Sequence, residues 1–137
     1  MKNIFYILIF LISLISCSTD ADYIRDVYVN IEINLGLPEY SELNTIGNSI
    51  YIEGGNKGII IYKMGVNEYR VYDRNCSYEP SSDCAYIDSV SSTIASCSCC
   101  TSMFLIDQDG ISANGPALLP LKEYQTTLSG GILKIKN

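Results

Sequence analysis

Five of the six cysteines lie within a stretch of 25 residues, and they are the side chains of this sequence best suited to chemistry. They are Cys76, Cys84, Cys97, Cys99 and Cys100. Thiolates bind zinc and iron–sulfur clusters, and thiol pairs form disulfides in oxidising compartments. The C-x2-C spacing of Cys97 and Cys100 is typical of half a tetrahedral zinc site. Cys76 and Cys84 would supply the other half, although seven residues separate them, which is wider than zinc ribbons use.

The absence of histidine excludes several classes of enzyme. Without a single histidine the chain can hold no Ser-His-Asp triad, no Cys-His dyad and no HExxH zinc site. The net charge of −6 also argues against a nucleic-acid binder, because such proteins neutralise phosphates with lysine and arginine. We therefore expect no catalytic residues, no independent hydrolase activity and no nucleic-acid partner.

The N-terminus has the pattern of a lipoprotein export signal. Lys2 precedes a nearly unbroken apolar run at residues 4–15, and residues 14–17 (Leu-Ile-Ser-Cys) resemble the bacterial lipobox. The run is about 12 residues long, short of the roughly 20 that a membrane-spanning helix needs. We expect residues 1–16 to be removed and Cys17 to carry the lipid that anchors the chain to a bacterial membrane. The protein would then be extracytoplasmic, periplasmic or at the cell surface, and its cysteines would meet an oxidising compartment.

The remainder of the chain must position the cysteines, and its apolar residues recur with a period of two. Val27, Val29, Ile31 and Ile33 alternate with polar residues, as in a half-buried strand. Glycine and asparagine at 54–56 and 65–67 predict hairpin turns, and residues 39–43 predict one helical turn at most. Further strands are predicted at residues 50–53, 59–64, 68–73, 85–90, 93–96, 103–106, 124–128 and 132–136. We therefore predict a tether at residues 17–26 and one antiparallel all-β domain at residues 27–137. This domain would be a sandwich or a partly open barrel.

The arrangement of the later motifs resembles the Rieske iron–sulfur domain over residues 47–137. That family has a first loop of form C-x-H and a second of form C-P-x-H-G-S, followed by a proline loop that covers the cluster. The segments that carry the resemblance are residues 72–78, 97–104, 109–110, 115–117, 120–124 and 130–135. The resemblance implies a Rieske-like β fold with a small cysteine-rich loop subdomain at 75–117. It also implies electron transfer through a [2Fe–2S] cluster.

The ligand positions that the resemblance implies have changed. They fall on Cys76, Tyr78, Cys97 and Cys100, so tyrosine and cysteine stand in place of both histidines and a standard Rieske centre cannot form. Many members of the family join the two loops by a disulfide, which here would link Cys84 to Cys99. Cys76 could then pair with Cys97 or Cys100.

Three states of the cysteines stay open. The first is a set of disulfides with no cofactor, the second a [2Fe–2S] cluster on Cys76, Cys97 and Cys100 with Cys84 or Tyr78, and the third a zinc ion. We rank them in that order, because the signal lacks the twin arginine of proteins exported with a cluster already inserted. The expected function is a non-enzymatic envelope protein with an unknown protein partner. Electron transfer and a structural zinc site are the alternatives.

Five other residues near the cysteines carry further expectations. Ser102 matches the serine that donates a hydrogen bond to a cluster sulfur in the family, and Pro116 lies in the covering loop. Thr101 stands where the family has glycine, so its side chain would crowd the approach to a cluster. Asp73, next to Arg74, predicts an ion pair at the surface, which would contribute little to stability.

Overall fold

The computed structural model describes residues 23–137. The predicted signal sequence, Cys17 and the first part of the predicted tether lie outside the described residues, and the domain boundaries stay predictions. One short 3-10 helix, Pro38–Asn44, accompanies ten strands. The strands are β1 (Asn30–Asn34), β2 (Ser49–Ile52), β3 (Ile59–Gly65), β4 (Glu68–Asp73), β5 (Ser89–Ser91), β6 (Ile94–Cys97), β7 (Ser102–Leu105), β8 (Ile111–Asn114), β9 (Gln125–Ser129) and β10 (Ile132–Lys136). No helix among residues 23–137 is both long and apolar enough to span a membrane.

Three antiparallel sheets form the domain, which confirms the predicted all-β class. Their strand orders are β1-β10-β9, β2-β3-β4 and β5-β6-β7-β8. Strand β3 is the centre of the fold because it is buried on both faces. Its Ile59 and Ile61 enter a core with β1, β4 and β10, whereas its Ile60 and Tyr62 enter a second core with β6 and β7. The alternation of side chains along one strand thus joins two hydrophobic cores.

The second core contains two of the candidate cysteines. Cys76 and Cys97 are buried in it beside Tyr72 and Phe104, and Cys100 packs against it from a half-buried position. The β5-β6-β7-β8 sheet and the β2-β3-β4 sheet therefore bring the two cysteine-bearing segments together from opposite sides of one core.

Most of the predicted strands are present, and two segments differ. A strand was predicted at residues 85–90, but the strand in this region is Ser89–Ser91. Tyr86 instead forms an isolated bridge with Asn75, within the loop that precedes the strand. Strand β8 was not predicted. Its side chains are largely exposed, so it lacks an alternating apolar pattern, and backbone pairing with β7 holds it in place.

Candidate metal centre

The first cysteine loop runs from the end of β4 to the start of β5 and folds back on itself. The Cys76 amide donates to the Ala85 carbonyl at 2.9 Å, and the Ile87 amide donates to the Arg74 carbonyl at 2.7 Å. The Lys57 ammonium donates to the Ala85 carbonyl at 3.2 Å and also to the Ser82 carbonyl. These bonds hold both limbs of the loop and place Cys76 fully inside the core.

The second cysteine loop is the tight connection between β6 and β7. The last residue of β6, Cys97, pairs directly with the first residue of β7, Ser102, so residues 98–101 make the whole turn. Thr101 adopts a φ of 59° in this turn, in the left-handed region that a β-branched side chain rarely enters. Its side chain is exposed at the surface of the loop, at the position where the Rieske resemblance implies glycine.

A third loop, after β8, covers the second. The Ala117 amide donates to the Ser102 hydroxyl at 3.1 Å. A β-carbon on Gly115 would lie 2.5 Å from the Ser102 Cα, so only glycine permits this approach. The hydroxyl of Ser77 in the first loop donates to the Leu119 carbonyl at 2.5 Å. All three loops therefore meet around Ser102 and the cysteines.

A disulfide joins the first two loops at the surface. Cys84 and Cys99 are bonded, with their Cα atoms 5.6 Å apart, and both are exposed. This is the pairing that the resemblance implies. Within residues 23–137 no second disulfide is formed, and Cys76, Cys97 and Cys100 are free thiols. Of the two disulfides expected first from the sequence, one is therefore present.

The three free thiols form one group. The Sγ atoms of Cys76, Cys97 and Cys100 all lie within 4.8 Å of one another. Those of Cys76 and Cys100 are 3.5 Å apart, in hydrogen-bond contact. Three sulfurs bound to one tetrahedral zinc ion at about 2.3 Å would be about 3.8 Å apart. The group therefore needs only small side-chain movements to surround one ion.

Hydrogen bonding distinguishes Cys100 from its two neighbours. Burial raises the thiol pKa of Cys76 and of Cys97 above the ordinary value of 9.0. Burial also acts to raise the pKa of Cys100, but hydrogen bonds, first of all with Ser102, lower that pKa below its ordinary value. The Cys100 thiol donates to the Ser102 hydroxyl oxygen, with Sγ and Oγ 3.1 Å apart, and the same oxygen accepts from the Ala117 amide. When Cys100 is a thiolate, the Ser102 hydroxyl can turn its own proton toward the sulfur.

The other predicted ligand positions take no place in this group. Cys84 and Cys99 are used in the disulfide. The charge of Glu79, followed by burial and a hydrogen bond with the Glu79 carboxylate, raises the pKa of the Tyr78 phenol. Tyr78 packs against the core cluster that contains Cys76 and Cys97. Pro116 is exposed beside Tyr78 in the lining of an open pocket of about 620 Å³.

Asp73 has a role that its sequence context did not predict, and the predicted surface ion pair with Arg74 is wrong. Asp73 is fully buried. One of its carboxylate oxygens accepts from the Asn56 amide at 2.6 Å and from the Tyr124 hydroxyl at 2.7 Å, and the other accepts from the Asn75 amide at 2.8 Å. The neighbouring Arg74 instead donates to the Ile87 carbonyl and lies over the ring of Tyr51. Asp73 thus anchors the residue next to Cys76, and the one available signal was a carboxylate at the end of a buried strand.

Neither a protein-family model nor a curated protein sequence matches this chain. Solved structures do resemble it. A chain of the complex of reduced oxygenase and oxidized ferredoxin in carbazole 1,9a-dioxygenase has a TM-score of 0.52 and 11% identity, with 82% of this chain and 94% of that chain covered. The ferredoxin of carbazole 1,9a-dioxygenase from Nocardioides aromaticivorans has a TM-score of 0.51 and 15% identity, with 80% of this chain and 97% of that chain covered. The E. coli protein NirD has a TM-score of 0.45 and 11% identity, with 68% of this chain and 86% of that chain covered.

The fold is Rieske-like. At these identities the likeness concerns the fold alone. Two-cysteine, two-histidine ligation does not fit this chain, because histidine is absent and Tyr78 and Cys100 occupy the positions concerned. The mutual closeness of the three sulfurs also does not match a two-iron cluster, since ligands of different irons are separated by the length of the cluster. The three neighbouring thiols are a group that could hold a metal ion.

Proposed function

We propose that the chain is a membrane-anchored envelope lipoprotein whose Rieske-like domain binds one zinc ion through Cys76, Cys97 and Cys100. The observation that carries the proposal is the grouping of three free thiols within 4.8 Å, supplied by two loops that a disulfide already joins. Soft thiolates select zinc over harder cations, and zinc is common enough to be acquired after export. The anchor rests on the lipobox and Cys17.

Each residue of the centre has a separate task in this proposal. The three cysteines supply negative charge and soft sulfur, and bound zinc would supply a Lewis acid. Ser102 fixes the direction of the Cys100 side chain through its two hydrogen bonds. Such partners typically alter metal affinity 10–100-fold. Structural zinc sites use four protein ligands. The described residues bring only three His, Cys, Asp or Glu side chains together here, so the fourth position is open to water or another ligand.

Electron transfer through a [2Fe–2S] cluster is the second candidate. Its support is the similarity of the fold to a ferredoxin of carbazole 1,9a-dioxygenase, together with the ligand positions that the Rieske resemblance implies for Cys76, Cys97 and Cys100. The absence of histidine and the spacing of the sulfurs count against it. We derive no reaction step from a cluster.

Native mass spectrometry of the full chain decides between these states. The protein is exported, extracted from the membrane with detergent and purified without air. One bound zinc supports the proposal, whereas two irons and two sulfides support the second candidate and overturn the first. A metal-free chain lighter by the two hydrogens of one disulfide overturns both.

Matched variants test which cysteines hold the metal. Cys97→Ser removes one of the three thiols and is expected to abolish zinc binding at micromolar concentration. The double variant Cys84→Ser and Cys99→Ser removes the neighbouring disulfide and is expected to retain one zinc. Loss of zinc from a folded double variant, or full retention in Cys97→Ser, would contradict the assignment.

A further inference from the structure

An apolar surface lies beside the thiol group and has no partner in the domain. We call it the loop face, formed by Tyr78, Pro116, Leu118 and Leu119, which line the open pocket of about 620 Å³. Leu118 is 92% exposed, the highest exposure of any large hydrophobic side chain among residues 23–137. It follows the buried Ala117 in the loop that covers Ser102, so the backbone holds its side chain outward.

The chain enters the domain next to this surface. The hydroxyl of Tyr23, the first described residue, donates to the carbonyl of Pro120 at 3.3 Å. Ile24 is buried, and Asp26 forms an ion pair of 2.6 Å with Lys122. The carbonyl of Arg25 accepts from Lys122 at 3.0 Å and from Asn56 at 2.8 Å. The segment that leads toward Cys17 is therefore fixed to the domain at the edge of the loop face.

The length of the remaining segment limits how the domain can lie on a membrane. Five residues separate Cys17 from Tyr23. Even fully extended, these six steps span at most about 22 Å. A domain of this size has a radius of gyration of about 13 Å and hence a diameter of about 35 Å. The segment is shorter than the domain is wide, so Tyr23 cannot lie on the side of the domain farthest from the lipid, and the adjoining loop face can reach the bilayer.

We propose that the loop face docks on the membrane surface and that Leu118 inserts into it. This inference rests on the proposed anchor at Cys17. The lipid on Cys17 and the apolar Leu118 side chain then contact the same bilayer, and each buried apolar group adds to the membrane affinity. The pocket lining carries one acidic side chain, Glu79, and no basic one. The face therefore suits zwitterionic headgroups such as phosphatidylethanolamine, and the thiol group lies close to the bilayer.

Tryptophan fluorescence provides a direct test because the sequence contains no tryptophan. Leu118→Trp places a single reporter on the loop face. Val66→Trp is the control, since Val66 is 81% exposed in the β3–β4 turn, at the other end of β4 from the first cysteine loop. Both variants of the full lipidated chain are reconstituted in phosphatidylcholine–phosphatidylethanolamine vesicles, with and without bromine on the acyl chains.

We expect a blue-shifted emission for Leu118→Trp, with quenching by brominated lipid at least threefold stronger than for Val66→Trp. If both reporters are quenched equally in protein that floats with the vesicles, the lipid anchor is supported but the docking of the loop face is overturned. The loop face would then be a surface for a protein partner. Protein that carries no lipid on Cys17 and does not float shows that the anchor itself is wrong, and the docking fails with it.

Discussion

The sulfur atoms of Cys76 and Cys100 lie 3.5 Å apart, although the two residues are 24 positions apart in the sequence and no bond joins them. Cys76 comes from the first loop and Cys100 from the second, and Cys97 is within 4.8 Å of both. Neighbouring thiols in an oxidising compartment either bind a metal or become oxidised. The pair therefore has two states that exclude each other, zinc-bound and disulfide-bonded.

Mild oxidation of metal-free protein is expected to form a Cys76–Cys100 disulfide. Two electrons and two protons pass from the thiols to the oxidant, for which we choose diamide, and the mass falls by two hydrogens. Bound zinc should prevent the reaction. Cys97→Ser should still form the bond and Cys100→Ser should not, as measured by mass spectrometry of the intact chain. The reverse pattern would assign the reactive pair to Cys76 and Cys97.

Ser102→Ala is expected to weaken zinc binding roughly tenfold, because the hydroxyl that orients Cys100 is lost. Stability should also fall by about 1–3 kcal/mol, since the buried Ala117 amide loses its acceptor. Competition with a chromophoric chelator measures the affinity, and urea unfolding measures the stability. Ser98→Ala is the control, because Ser98 is exposed in the same turn and its hydroxyl donates to the Asp88 carboxylate rather than to the centre. Equal zinc affinity in the two variants would remove Ser102 from the centre.

Thr101→Gly is expected to stabilise the protein, whereas Gly115→Ala should destabilise it. A left-handed threonine costs about 1–2 kcal/mol, partly offset by the greater entropy of unfolded glycine, so we expect a gain of about 0.5–1 kcal/mol. Alanine at Gly115 would have a β-carbon 2.5 Å from the Ser102 Cα, and we expect a loss above about 2 kcal/mol.

Gly130→Ala serves as the control for this pair in urea unfolding. Gly130 also has a positive φ, of 59°, but a β-carbon there would have no heavy atom within 4 Å. Its substitution reports the cost of a side chain at positive φ without a steric clash. A Gly115 variant no less stable than the Gly130 variant would show that the third loop is not tightly seated on Ser102.

Local patterns predicted the strands well where hydrophobic alternation and turn residues coincide. β4 at Glu68–Asp73 and β10 at Ile132–Lys136 begin and end where the sequence predicted. β8 at Ile111–Asn114 escaped prediction because only backbone pairing with β7 defines it. Alternating apolar and polar residues indicate which side chains of a strand are buried. A strand whose side chains are almost all exposed lacks this pattern.

The candidate site was predictable only as a list of cysteines. The resemblance implied the Cys84–Cys99 disulfide, but which other thiols meet depends on how three loops pack against one core. Asp73 shows the same limit. Its burial requires the turn at Gly55 to close over the carboxylate, where a β-carbon would lie 2.5 Å from Asp73 Oδ2. Such long-range contacts leave no periodic trace in the sequence.

Tyr124→Phe is expected to destabilise the protein and to change its response to alkaline pH. The variant removes the 2.7 Å hydrogen bond to the buried Asp73 carboxylate, and hydrogen bonds to charged groups contribute about 1.5–3 kcal/mol. Burial, and then Asp73, raise the Tyr124 pKa above its ordinary value of 10.0. The folded state therefore keeps a proton that the unfolded state loses above pH 10. Tyr124 contributes its full stability below that pH and loses it as the pH rises further.

Urea unfolding between pH 7 and pH 11 measures both effects. Above pH 10 the free energy of unfolding of the unmodified protein should fall more steeply than that of Tyr124→Phe, by up to about 1.4 kcal/mol per pH unit, the value for one proton. Tyr28→Phe is the control, because Tyr28 is 86% exposed and its substitution should leave the unfolding free energy within about 0.5 kcal/mol of the original. Parallel curves for the unmodified protein and Tyr124→Phe would show that Tyr124 ionises as readily in the folded chain as in the unfolded one.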